Sequence, residues 1–130
     1  MKPAKGQIGT AVDRPDAAIR FYLFHGPDEA GSRALAARLR VSLAAEKAPL
    51  AGSALRSDPA ELAAEAGAFS MFGERRLLWI EPAGNEITEA VEALLAAPAV
   101  EHVAVAIAGS LTKTSPLLKL ADGHPAALSH

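Results

Sequence analysis

The chain has 130 residues, half of them hydrophobic, a formal net charge of -2 and no cysteine. That suffices for one compact domain with a real core, is too short for two ordinary domains, and excludes a disulfide framework or a thiolate metal site. A pI near 6.1 argues against a dedicated nucleic-acid binder, which is usually basic, and no run of about 18 apolar residues is present to span a membrane.

Residues 1 to about 20 are polar and contain Pro3, Gly6, Gly9 and Pro15. They are expected to form an irregular lead-in to a domain over 21–130. The two lysines of MKPAKGQIGT have no apolar stretch behind them, unlike a secretory signal. With the absence of cysteine, this suits a cytoplasmic location. Phe21 to His25 has the continuous apolar run of a strand buried on both faces. Ala30 to Glu46 follows as a helix, with Leu35, Leu39 and Leu43 on one stripe and Arg33, Arg38 and Arg40 largely off it. Pro49 to Ser57 is a break, with room for a short strand at Ser53–Leu55. Asp58-Pro59-Ala60-Glu61 has a capping acid, a proline at the first helical position and a second acid, which together predict a helix ending at Gly67. Leu77 to Glu81 is a strand stopped by Pro82. Glu86 to Ala97 is a helix facing inward through Ile87, Val91, Leu94 and Leu95. His102 to Ala108 is a strand, Ser115-Pro116 opens a short helix ending near Gly123, and Ala126 to Leu128 begins one more strand. Short apolar strands alternating with helices predict a three-layer α/β domain around a mostly parallel sheet.

FYLFHGPDEAGSR, Phe21 to Arg33, has the glycine spacing of a phosphate loop, G-x-x-x-x-G-K-[ST], in a strand-to-helix context. Such a loop cradles phosphates with backbone N–H groups, reaches them with a lysine and holds magnesium with a hydroxyl. Gly26 and Gly31 are in place, but Ser32 stands at the lysine position and Arg33 after it. Asp28 and Glu29 would face the phosphates and repel them. Glu81 is the sole candidate for the acid that orders a metal after a later strand. A plain strand, tight turn and helix is therefore favoured over a working nucleotide site, and no cofactor is expected.

FSMFGERR, Phe69 to Arg76, is a connecting segment, and connecting segments lie at the surface. Yet it holds two of the four phenylalanines and Met71. Apolar anchors followed by Glu74-Arg75-Arg76 suit a knob that fills a partner's pocket; a loop folded back on the core is the alternative. Phe69 is expected to face inward, with Met71 and Phe72 outward. The histidines His25, His102, His124 and His130 lack metal-ligand spacing, and Ser32, Ser70 and Ser110 have no nucleophile context. Arg38 and Arg40 read first as a solvated face and second as a DNA contact.

Taken in order, these pieces resemble the N-terminal domain of the delta subunit of the bacterial DNA polymerase III clamp loader. FYLFHGPDEAGSR is similar to that family's opening strand and inactive phosphate loop. FSMFGERRLLWIE is similar to its Ser-Leu-Phe element, basic residues and apolar strand. HVAVAIAGSLTKTSPLLK is similar to its later strand and Leu-x-Lys-x-Ser segment. The resemblance spans about Phe21 to Leu120 and rests on order and spacing. It implies a RecA-like or AAA+-like fold with a degenerate loop (Gly26, Gly31, Ser32, Arg33) and no ATP hydrolysis. It also implies that the sliding clamp, the beta subunit, is gripped through Met71 and Phe72, with Phe69, Ser70 and Gly73 shaping the turn and Arg75 and Arg76 at the rim. Met71 stands where the family commonly has leucine, a volume-conserving exchange. The resemblance further implies a lid domain and a C-terminal collar domain that these residues do not include, the collar being where the family joins its gamma/tau and delta-prime partners. The abrupt end at PAALSH accordingly suggests a fragment, monomeric by itself and near DNA only within an assembled loader. The rival readings are a small P-loop ATPase or nucleotide kinase, and a regulatory α/β domain that binds another protein.

Overall fold

A computed structural model describes Met1–His130. Five strands, all parallel, form one sheet in the order β2-β3-β4-β1-β5. They are β1 (Phe21–Phe24), β2 (Glu46–Leu50), β3 (Arg76–Ala83), β4 (Val103–Ala108) and β5 (Ala127–Ser129). The helices are α1 (Ile8–Asp13), α2 (Glu29–Leu43), α3 (Gly52–Ser57), α4 (Ala60–Gly67), α5 (Thr88–Ala96, preceded by a 3-10 turn at Asn85–Ile87) and α6 (Pro116–Gly123).

The layers follow from the direction in which the chain moves across the sheet. It first runs from β1 out to β2 at one edge, then steps back through β3 and β4 and over β1 to β5. Right-handed crossovers place helices on opposite faces when that direction reverses. Accordingly α2 lies on one face with α1, while α3 to α6 cover the other. Strand side chains alternate between the two cores. Phe21, Leu23, Leu78, Ile80, Ala104 and Ala106 point to the α3–α6 side. Tyr22, Phe24, Leu77, Trp79, Val105 and Ile107 point to the α1–α2 side. All four residues of β1 are buried, as its unbroken apolar run requires.

Several local expectations are corrected. The lead-in is not irregular throughout: α1 buries Val12 against α2, and Asp13 takes a bidentate hydrogen bond from Arg38. The second helix stops at Leu43, where Ala44 adopts a left-handed conformation (φ 50°). This releases Glu46–Leu50 to pair with β3, so the short strand lies there and Ser53–Leu55 is helical. EKAPL lacks a strand-like pattern because β2 is an edge strand with one neighbour, where Pro49 is tolerated. Asp58 does not cap α4 with its side chain; its carbonyl receives the Glu61 N–H instead (3.1 Å). Ser115 does cap α6, accepting from the Leu118 N–H (3.3 Å). No helix is long and apolar enough to cross a membrane.

Candidate functional site

In a parallel sheet every strand begins at one pole and ends at the other. The loop after β1 therefore lies at the carboxyl pole, and the turn before β3 at the amino pole. The two candidate sites are on opposite ends of the molecule.

At the amino pole, Ser70 builds the turn. Its carbonyl accepts the Gly73 N–H (3.2 Å) and its hydroxyl accepts the Glu74 N–H (2.9 Å). Met71 and Phe72 are the two central residues of this β-turn, so their side chains project outward, 79% and 82% exposed. Gly73 closes the turn at φ +71°, a left-handed conformation that favours glycine. Phe69 is 85% exposed and does not face inward as expected; it continues the same apolar patch. A groove of about 710 Å³ opens beside the turn, lined in part by Ile19, Tyr22, Leu43, Phe69, Met71 and His102. Burial, assisted by the charge of Asp16, pushes the Tyr22 hydroxyl up to about 12.

The base of the turn is fastened from three sides. Arg76 reaches back to Glu65 on α4 (3.7 Å). The Ala66 carbonyl accepts both the Glu101 N–H (2.7 Å) and the His102 N–H (3.0 Å). The buried His102 ring lies between Ala68, before the turn, and Arg76, after it. Its Nε2 is 2.9 Å from the Ala68 carbonyl and its Nδ1 accepts the Arg76 N–H at 3.1 Å. The sequence reading missed this role for His102. The available signal was a polar residue heading the apolar strand VAVAIA, next to the strand that the turn enters.

At the carboxyl pole, β1 and β4 are neighbours whose following helices leave to opposite faces, the crevice where open α/β sheets commonly bind ligands. Gly26 (φ +122°) donates its N–H to the Gly109 carbonyl (3.0 Å). Asp28 turns its carboxylate onto the start of α2, where Oδ1 accepts the Gly31 N–H (2.9 Å). A negative group belongs there, because free N–H groups and the helix dipole favour it. Gly31 is required for the arrangement: a Cβ at that position would sit 2.3 Å from Asp28 Oδ2. Ser32 is buried in the first turn of α2. Arg33 points to Glu81, 2.8 Å away, and Glu81 also accepts from the Trp79 indole (3.1 Å). Burial alone would raise the Glu81 carboxyl, but the Arg33 and Trp79 hydrogen bonds outweigh it and hold it below its usual range. Lys47 completes the cluster, 4.4 Å above the Trp79 ring.

Glu81 thus serves as the partner of Arg33, and Asp28 as a helix cap. Arg38 and Arg40 bond within the domain, to Asp13 and to the Ala45 carbonyl (3.2 Å). No group of His, Asp or Glu side chains has the arrangement of a metal site. Comparison of the chain with protein-family models and with curated proteins finds no match.

Proposed function

We propose that this domain is the clamp-binding and clamp-opening module of a bacterial DNA polymerase III clamp loader, gripping the sliding clamp through Met71 and Phe72. One observation carries the reading. Two adjacent apolar side chains occupy the centre of a tight, internally bonded turn and project into solvent. Such anchors gain their free energy by entering a partner's pocket, and a pre-formed turn reduces the ordering cost of doing so. The resemblance of FSMFGERRLLWIE to the delta family's clamp-binding element names that partner.

The carboxyl pole supports a non-hydrolysing, RecA-like or AAA+-like domain. The loop occupies the switch-point crevice with nucleotide-loop glycine spacing. Its helix start, however, already holds the Asp28 carboxylate, and its arginine is paired with Glu81. Opening the ring then follows from differential binding: a turn that fits the open clamp better than the closed one shifts the population toward open.

The test is binding of this chain to the sliding clamp of the same organism, beside a folded Met71→Ala/Phe72→Ala variant. Truncating both anchors should cost at least about 2 kcal/mol, or about thirtyfold in affinity. A parent that does not bind the clamp removes the reading. Unchanged affinity in the variant moves the interface elsewhere.

A further inference from the structure

We infer that His102 is the positioning residue of the apolar turn: a single imidazole tautomer clips the two ends of the turn together and fixes how Met71 and Phe72 are presented. The inference rests on reading that turn as the binding element. The chemistry of its neighbours fixes the tautomer. The Arg76 N–H can only donate, so Nδ1 must offer a lone pair; the Ala68 carbonyl can only accept, so Nε2 must carry the proton. The ring is buried, with 3% of its surface exposed, so water does not replace either bond at no cost.

The position of the clip is informative. Ala68 lies just before Phe69, and Arg76 is the first residue of β3. Between them, the bonds within the turn come from Ser70 alone, which organises Ser70 to Glu74, and the Arg75 carbonyl anchors only the exit, accepting the Glu46 N–H of β2 (2.9 Å). The His102 bonds to Ala68 and Arg76, with the Arg76–Glu65 pair behind them, join the entry of the turn to its exit. Imidazole suits the task because it is rigid and carries an acceptor and a donor that diverge from two edges within one plane. A glutamine amide also offers one acceptor and one donor, but on a longer, flexible stem and in different directions, so it holds the two bonds less firmly. A leucine keeps neither.

The experiment is a graded series, His102→Gln and His102→Leu, read by two measurements. Amide exchange at Arg76 and through Ser70–Glu74 reports the turn itself, and affinity for the sliding clamp reports its use. Sole-tryptophan fluorescence from Trp79 during urea unfolding tracks the remaining fold. The clip predicts Arg76 exchange faster by about tenfold or more in the leucine variant, with glutamine in between. Clamp affinity should fall in the same order, by about tenfold for leucine, the equivalent of one to two lost hydrogen bonds. Unchanged Arg76 exchange in a folded leucine variant overturns the inference, as does clamp binding equal to the parent's. If the leucine variant does not fold, nitrogen-15 spectra of the parent decide: a proton on Nε2 supports the clip, and a proton on Nδ1 overturns it. If the parent does not bind the clamp while Arg76 exchange still responds to His102, the clip stands and the clamp reading falls.

Discussion

Glycine spacing is visible in a sequence, but the work each glycine performs is not. Gly73 and Gly31 show two different reasons for the same residue. At Gly73 a Cβ would meet nothing within 4 Å, and only its φ of +71° demands glycine. Gly73→Ala should therefore cost on the order of 1 kcal/mol of backbone strain, confined to the exposed turn. The expected outcome is a clamp affinity lower by a few-fold, with the urea midpoint lowered only by that strain. At Gly31 the backbone is ordinary and the obstacle is Asp28, 2.3 Å from the added atom. Gly31→Ala should expel the carboxylate and cost about 1 kcal/mol of helix-cap free energy, seen in the urea midpoint and not in clamp affinity. The glycine pattern alone suggested a phosphate cradle. It could not show that a carboxylate three residues earlier in the chain fills it.

The strongest elements were legible: β1, β3 and β4 as continuous apolar runs, α5 from its four-residue periodicity, and α6 from Ser115-Pro116. The misreadings fall where tertiary contacts override local preference. Glu46–Leu50 contains good helix formers and a proline, and it is a strand because β3 needs a neighbour on that side. The first helix is short and is held by burial of Val12 and the Asp13–Arg38 pair, neither of which a local window reveals. Arg20 is a similar case. Its guanidinium donates to the Leu94 (3.3 Å), Leu95 (3.5 Å) and Ala97 carbonyls at the end of α5, across more than 70 residues of chain. A cation at a helix C-terminus satisfies otherwise unpaired carbonyls and complements the dipole. Arg20→Met, which keeps the apolar stem, should destabilise the domain by about 1–2 kcal/mol in urea titration. An unchanged midpoint would mean that water caps α5 equally well.

At the scale of the whole molecule, the two ends of the sheet are separate. The Arg33–Glu81–Trp79–Lys47 cluster lies on the α2 face of the sheet, between α2 and strands β2 and β3, while the apolar turn lies at the amino ends. Arg33→Ala/Glu81→Gln should therefore leave clamp affinity within about twofold of the parent. The urea midpoint should stay close to the parent's, as expected of a solvent-screened ion pair. Trp79 emission should change, because the indole loses its carboxylate partner. The same probe reads pH. Glu81 is held below its usual range, so its contribution is present above the ordinary carboxylate range and fades as pH falls through the lowered value. The parent's emission should follow that acid limb, and the double variant's should not. The mostly parallel three-layer plan was legible from alternation of elements, and it is parallel throughout. The strand order was not legible, because the order of elements along a chain does not state which strands become neighbours.

Asp28 has a consequence in competition. A group attached three residues from the N–H it binds acts as an anion at a very high local concentration, on the order of millimolar or more even for loose tethers. Any phosphate arriving from solution must displace it and then lie beside its charge. Ordinary swings in the ratio of one nucleotide to another would leave such a loop in the same state. If the Met71–Phe72 turn is the clamp-binding element proposed above, its timing would not be set through this loop.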